Sequence, residues 1–460
     1  MSKRAFAGRC MALMIAATAC CARANARPVH ADQTWLVVSD IHLDPFNARS
    51  HPVLFGKDTN LALFRAALAH MRLAAPDPSL VVIPGDFLRH DFNHVARAPG
   101  NGATVEAQAL RTMDGIARSF AHAFPRAQFA IALGNNDSPC GDYRSALRTP
   151  YLAALAHIWA PLVNRGGAAP GFERDFAAGG HYTAGLPIWG LRLIALDDVP
   201  LASEYAGDCG AAFGYPPAAE LRWLESALAS TPARTRNVVL MHLPPGFDAF
   251  VTQRIAGLAI VRFLYPDANA QLLEALATPA NRVVFAIAGH THRFDFRLDG
   301  AVPILVFGSL SPVYHNNPAF FTLAVARDGS IRDISTYVFD EWSQEWQPPR
   351  RFDAIWHVRN IDAATLTALH ARLEREPAMR RIWDAAASGW PSNWHVTWSG
   401  WDSGWRVPWC AQTYVNDGFA RCAGLVVRTL LFRLALILLI ALATIALVLR
   451  LRSRSSLRSG

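Results

Sequence analysis

Seven side chains of the kinds that bind metal ions are spread over five short segments of this chain. Asp40 and His42 lie in VVSDIHLD, Asp86 in VVIPGDFLRHD, Asn135 in ALGNNDS, His242 in LMHLPPG, and His290 and His292 in AGHTHRF. Asp40 and His42 are two residues apart, as are His290 and His292. On an extended segment such a pair projects to one side and can chelate one ion. Asp86 follows a glycine, which lets backbone and carboxylate approach a metal closely. A carboxylate can bridge two cations, and Asn135 offers a neutral oxygen. The mixed donor set suits zinc, manganese or iron. The chain carries no G-x-S-x-G nucleophile motif. A lone histidine is more often a packing or surface residue, but packing does not account for an ordered set.

Those residues need elements to hold them. Each segment follows or contains an apolar run, WLVV, LVVI, FAIAL, NVVLM or VVFAIA, whose length and β-branched content read as a buried strand. Sites in open α/β sheets are built on loops just past the strand ends. Between the runs lie amphipathic stretches such as TNLALFRAALAHMRLAA and PAAELRWLESALAS, where Leu221, Leu224 and Leu228 recur at helical spacing. LRLIALDD and VPILVFGSL add strands, and IRDISTYVFD reads as the last one. The alternation predicts an α/β domain over residues 32–340.

The order D-x-H, G-D, G-N, H, G-H-x-H resembles the calcineurin-like metallophosphoesterases. GDFLRHD, ALGNND, FAAGGHYTAG, ELRWLESAL, HLPPG, GHTHRFDF and SLSPVYHNNPAF resemble their acid sphingomyelinase-like branch, which includes endopolyphosphatase-like members. The likeness spans roughly residues 35–340. It implies two mixed β-sheets packed face to face and flanked by helices, and two divalent metal ions, commonly zinc. By carry-over, Asp40, His42, Asp86 and His292 would hold one ion, and Asp86, Asn135, His242 and His290 the other. His90 matches a family histidine that contacts the phosphate and assists the leaving group; its bland reading is a structural histidine bonded to Asp91 or to backbone. Asn136 stands where many members have a second histidine. An asparagine can bond a phosphoryl oxygen but cannot deliver a proton. An anhydride leaving group needs less protonation than an alkoxide, so the reading leans to polyphosphate-type anhydrides. A sphingomyelin or nucleotide phosphodiesterase is the alternative, and a catalytically dead binding module the second alternative. The substrate is thus a phosphorylated small molecule, polyphosphate or a lipid head group. Asp137, Asp44 and His315 are weaker candidates, Asp44 either orienting a ligand histidine or capping the next turn. The His181-Tyr182 pair reads as a loop-shaping element.

The two ends carry topology. Residues 1–26 have a basic start, an apolar core and Ala24-Asn25-Ala26, the pattern of a secretory signal peptide. Residues 429–449 predict a transmembrane helix, with Arg433 reaching to the interface and a basic cytoplasmic tail at 450–460. The expected placement is therefore a single-pass cell-membrane protein whose catalytic domain faces the periplasm or exterior. The net charge of +8 comes from these ends: four basic residues in 1–26 and six in 428–460, with no acid, leave 27–427 at −2. No nucleic-acid partner is expected from such a body. Outside the leader the cysteines are Cys140, Cys209, Cys410 and Cys422, an even set that suggests disulfides. Four cysteines allow three pairings; the closeness of Cys410 and Cys422 in sequence favours joining them, in which case Cys140 would pair with Cys209. Residues 341–424 form a helical, Trp-rich region whose aromatics are read as packing or membrane-proximal rather than ligand-binding.

Overall fold

All five apolar runs fold as strands, and their β-branched, two-sided burial places them inside parallel pairings. A computed structural model of the protein describes residues 32–48, 56–97, 103–147, 149–209, 217–254, 259–390 and 404–456. The expected signal peptide at 1–26 lies outside these residues.

One mixed sheet runs in the order β14 (Glu345–Trp346), β13 (Ile331–Asp340), β12 (Ala319–Val325), β1 (Gln33–Val37), β4 (Leu80–Ile83) and β5 (Gln128–Ile131), with β15 (Arg350–Arg351) also on β13. The other runs β10 (Asp295–Asp299), β11 (Val302–Val306), β9 (Val283–Ala288), β8 (Arg236–Leu240), β7 (Leu191–Ala195) and β6 (Tyr182–Gly185). A short ladder joins β2 (Leu43–Asp44) to β3 (Thr59–Asn60). In the first sheet β1, β4 and β5 pair in parallel and β1, β12 and β13 antiparallel, whereas the second sheet is parallel at its centre and antiparallel in its two outer pairings.

Side-chain alternation along β8 shows the layering. Val238 and Leu240 join the core shared with β1, where Trp35 meets Phe285 at 6.1 Å between ring centroids. Val239 faces the opposite way, into a second core with Leu224, Leu228, Leu272 and Leu276. Those leucines come from helices Pro217–Ala229 and Pro266–Ala277. On the other sheet, helices Leu61–Ala74 and Val105–Ala123 pack through Phe64 and Phe120. Both begin at a side-chain cap: Asn60 accepts from the Leu63 amide and Thr104 from the Ala107 amide.

After β14 and β15 on the first sheet, the chain crosses to the second, where helix Ala363–Arg375 packs on β10 and β11. Helices Phe352–Trp356, Ala363–Arg375 and Pro377–Ala387 follow the polar link. The Leu298 amide of β10 donates to the Gln412 carbonyl at 2.7 Å, and the Phe294 amide to the Ala387 carbonyl at 3.0 Å. Phe247 stacks on Phe419 at 4.2 Å. Disulfides join Cys140 to Cys209 and Cys410 to Cys422.

One expectation needs correction. A helix covers Leu425–Ser456, and its side chains over 431–447 are exposed. Among the described residues, however, no helix is long and apolar enough to cross a membrane. The uninterrupted apolar stretch in the sequence, Leu434 to Leu449, falls short of the ~20 residues a bilayer asks for. The span expected at 429–449 is therefore not supported.

Candidate metal centre

The strand ends converge. Asp40 and His42 follow β1, Asp86 follows β4, Asn135 follows β5, His242 follows β8, and His290 and His292 follow β9. His42 Nε2 lies 3.3 Å from Asp86 Oδ2 and 3.1 Å from His292 Nε2. His242 Nε2 lies 3.4 Å from the same Asp86 oxygen, 2.9 Å from Asn135 Oδ1 and 3.2 Å from His290 Nδ1. Asp40 Oδ1 is 3.6 Å from His292 Nε2. All seven expected ligands are thus brought together, with Asp86 shared between a His42 side and a His242 side.

The backbone bends hard to achieve this. Asp40, His42, Asp86, His290 and His292 all have positive φ, between 42° and 69°. Non-glycine residues rarely adopt that region, and such strain concentrates at functional sites. Gly134 is required by space: a Cβ there would sit 2.1 Å from Asp86 Oδ1. Asp137 ties the two loops together, accepting from the backbone amides of Asp86, Phe87, Leu88 and Gly134.

The donor chemistry fits divalent cations. His42 Nδ1 donates to the Leu88 carbonyl at 3.0 Å and His242 Nδ1 to the Pro84 carbonyl at 2.8 Å, so both Nε2 lone pairs are presented to the centre. His292 Nδ1 is buried with no partner among the described residues. Asp40 and Asp86 are buried, and no lysine or arginine pairs with either among the described residues. Burial, with the charge of Asp86 adding to it, pushes the Asp40 carboxyl up to about 7. Burial pulls His42 down to about 4 and His290 to about 3, the neutral form a metal ligand needs. Burial also acts to lower His242, but the neighbouring Asp86 carboxylate outweighs it and raises the group to about 10. Buried carboxylates facing imidazole lone pairs form a cavity that a cation would neutralise.

His90 stacks on His42 at 4.0 Å, and its Nδ1 is held 2.8 Å from Asp58 Oδ1. Asp58 also accepts from the His90 amide at 3.1 Å. Among the described residues its ring is bonded to Asp58, and not to Asp91 as the bland reading had it. Asn136 is turned inward: its amide Nδ2 donates to Asp86 Oδ2 at 3.0 Å and its backbone amide to Asp86 Oδ1 at 2.9 Å. It therefore orients the shared carboxylate as well as lining the cavity. Asp44 caps a turn through the Phe46 amide and pairs with Arg89 at 2.9 Å rather than touching a ligand histidine. His181 bonds Glu220 at 2.7 Å and stacks on Trp223. His315 lines the cavity.

Several contributors were not singled out from sequence. Asp58 follows no strand and carries no motif. Tyr143 places its hydroxyl 3.2 Å from His290 Nε2, and Asp142 accepts from Asn135 Nδ2 at 2.5 Å. Asp198 accepts from the amides of His242 and Leu243, which fixes that loop. Asp198 ends LRLIALDD, so the strand-end rule applied to β7 would have found it.

The calcineurin-like phosphoesterase family model matches residues 34–294. The chain belongs to that family. As a member it is a metal-dependent phosphoester hydrolase. A Dictyostelium discoideum protein named sphingomyelinase phosphodiesterase D is 25% identical over 359 residues, 73% of this chain and 75% of that protein, in agreement with the sphingomyelinase-like branch. Among solved structures, a putative 5'-nucleotidase from Staphylococcus aureus matches with 14% identity and a TM-score of 0.36 over 65% of this chain. The match spans only about half, 52%, of that nucleotidase. GAP50 of Plasmodium matches with 12% identity and a TM-score of 0.36, covering 70% of this chain and 88% of that one.

Proposed function

We propose that this phosphoesterase cleaves a phosphodiester bond, with His90 as the acid for the leaving oxygen. The His90–Asp58 pair beside the Asp86 cluster carries the reading. Asp40, His42, Asp86 and His292 would hold one divalent ion, and Asp86, Asn135, His242 and His290 a second, with zinc, manganese or iron all suited to the donors. When bound, such ions polarise phosphoryl oxygens and activate water. The chain's own residues do the rest. Asp58 accepts from Nδ1 of His90, which leaves Nε2 to carry the proton to the departing oxygen. Asn136 holds Asp86 in place through both oxygens. Tyr143 and Phe263 hold the His290 ring, the first by a hydrogen bond to Nε2 and the second by an edge contact.

A phosphoanhydride such as polyphosphate is the second reading. Asn136 favours it, because the residue supplies no second acid and an anhydride needs little protonation. Release of a lipid head group, as the name of the Dictyostelium relative suggests, falls under the first reading. Export from the cytoplasm belongs to the same proposal and is supported by the two disulfides. Attachment to a membrane surface is supported by the exposed apolar side chains at 431–447.

A ³¹P NMR time course of the purified protein, with polyphosphate, bis(4-nitrophenyl) phosphate and soluble sphingomyelin, tests the choice. The expected outcome is diester cleavage that chelator abolishes. Loss of internal polyphosphate signal with both diesters intact would replace the first reading by the second. No hydrolysis by the metal-loaded protein would leave a binding module.

A further inference from the structure

The cavity at the metal centre continues past it. Its volume is about 380 Å³, and its far wall is made by the chain after residue 340. Trp383, Trp405 and Trp409 line that wall together with Phe294. The Trp-rich region was expected to serve packing or membrane proximity; Trp409 does pack against the core, and together with Trp405 it also lines the cavity.

The same cavity is lined by side chains whose polar atoms are buried and meet no partner among the described residues. They are Gln412 Oε1, Ser388 Oγ, Asp384 Oδ2, Asn316 Oδ1 and Arg297 Nε. Gln412 is 1% exposed, Arg297 2% and Ser388 5%. Buried polar groups are normally satisfied, and leaving one unmade is costly. Several in one cavity point to a ligand that meets them. Asp295 sets two of them side by side. It accepts from Gln412 Nε2 at 2.8 Å and from Arg297 Nη1 at 2.5 Å. The glutamine amide is thereby oriented with Oε1 as its open atom.

The pattern selects a ligand class. Gln412, Asp384 and Asn316 offer acceptors, Ser388 can act either way, and Arg297 donates. An acceptor-rich wall suits a ligand with several O–H donors. Flat indole faces suit a ring with apolar C–H faces. A polyanion would set its oxygens against these acceptors. At this wall Arg293 is matched by Asp384 at 2.8 Å and Arg297 by Asp295, and Arg380 donates to the Leu373 and Glu374 carbonyls. A quaternary ammonium has no O–H or N–H to give. We propose that this wall is a subsite for a sugar or cyclic polyol ring esterified to the phosphate. The proposal deepens the phosphoesterase reading and rests on it, because the metal centre would hold the phosphoryl end.

Calorimetric titration of the metal-loaded full chain tests it. The probes are the methylene phosphonate analogue of glucose 1-phosphate, which cannot be hydrolysed, methylphosphonate, and the matching adenosine phosphonate. The sugar phosphonate is expected to bind at least tenfold tighter than methylphosphonate and tighter than the adenosine probe. Gln412→Leu should remove most of that preference while methylphosphonate still binds. Ser388→Ala should reduce it by a smaller factor, and serves if Gln412→Leu does not fold. Equal binding of the sugar probe and methylphosphonate overturns the subsite and leaves the phosphoesterase reading standing. Preference for the adenosine probe, or a preference unchanged in both variants, also overturns the subsite. Absence of binding by every probe overturns both.

Discussion

The two ends of the cavity are built in opposite ways. At the metal end, each of the seven expected ligands hangs on a short loop after a strand, within a few positions of fully buried sheet. Positive φ at five ligands is tolerated because Asp137, Asp198 and backbone carbonyls bond those loops from several sides. At the far end, the wall is a docked appendage. Trp409 is held by stacking on His370 at 4.2 Å and by its indole N–H donating to the His370 carbonyl. Backbone bonds from β10 to Gln412 and the Cys410–Cys422 bridge complete the attachment. The contrast separates reaction from selection. Strand ends hold charge where small displacements destroy chemistry, whereas a docked wall can vary without disturbing the sheet.

The comparison can be broken most severely at its metal end. Asp86→Asn removes the shared carboxylate charge, and kcat/KM is expected to fall on the order of 10³-fold with loss of bound metal. Full metal occupancy with activity near wild type would show that Asp86 does not bridge. A smaller effect is expected at Asp58→Asn. That variant should lose about 10- to 100-fold in kcat on esters of aliphatic alcohols, and far less on 4-nitrophenyl esters, whose leaving group needs no proton. Equal losses on both would make Asp58 merely structural. The smallest effect belongs to the far wall. Burial holds the His370 imidazole below its usual range, and its Nε2 donates to the Trp409 carbonyl at 3.0 Å. The folded protein resists a proton that the unfolded chain accepts, so stability is lost as pH falls through about 6.5. His370→Gln keeps the donor and removes the titration. Its Tm should therefore decline less than that of wild type on acidification, and parallel curves would exclude His370 as a source of the loss.

The strand runs were legible because parallel strands buried on both faces must be apolar throughout. Their ligands were legible because a strand end is a fixed address. Asp58 was not, since it reaches His90 from a segment with no periodic pattern. The role of Asn136 was half legible: the missing proton could be read from the residue type, but its two bonds to Asp86 could not. The apolar tract near the C-terminus suggested a span from composition, yet among the described residues no helix is long and apolar enough to cross a membrane.

The sequence alone determined the donor types, their order along the chain and the α/β alternation that carries them, since these depend on local periodicity and chemistry. Only the tertiary structure decided that Asp86 is shared between two groups, that Asp58 holds His90, and that Trp409 and Gln412 lie on the same cavity as His290. Those contacts join residues far apart in the chain, and their positions follow from how two sheets and a docked tail pack rather than from any local pattern.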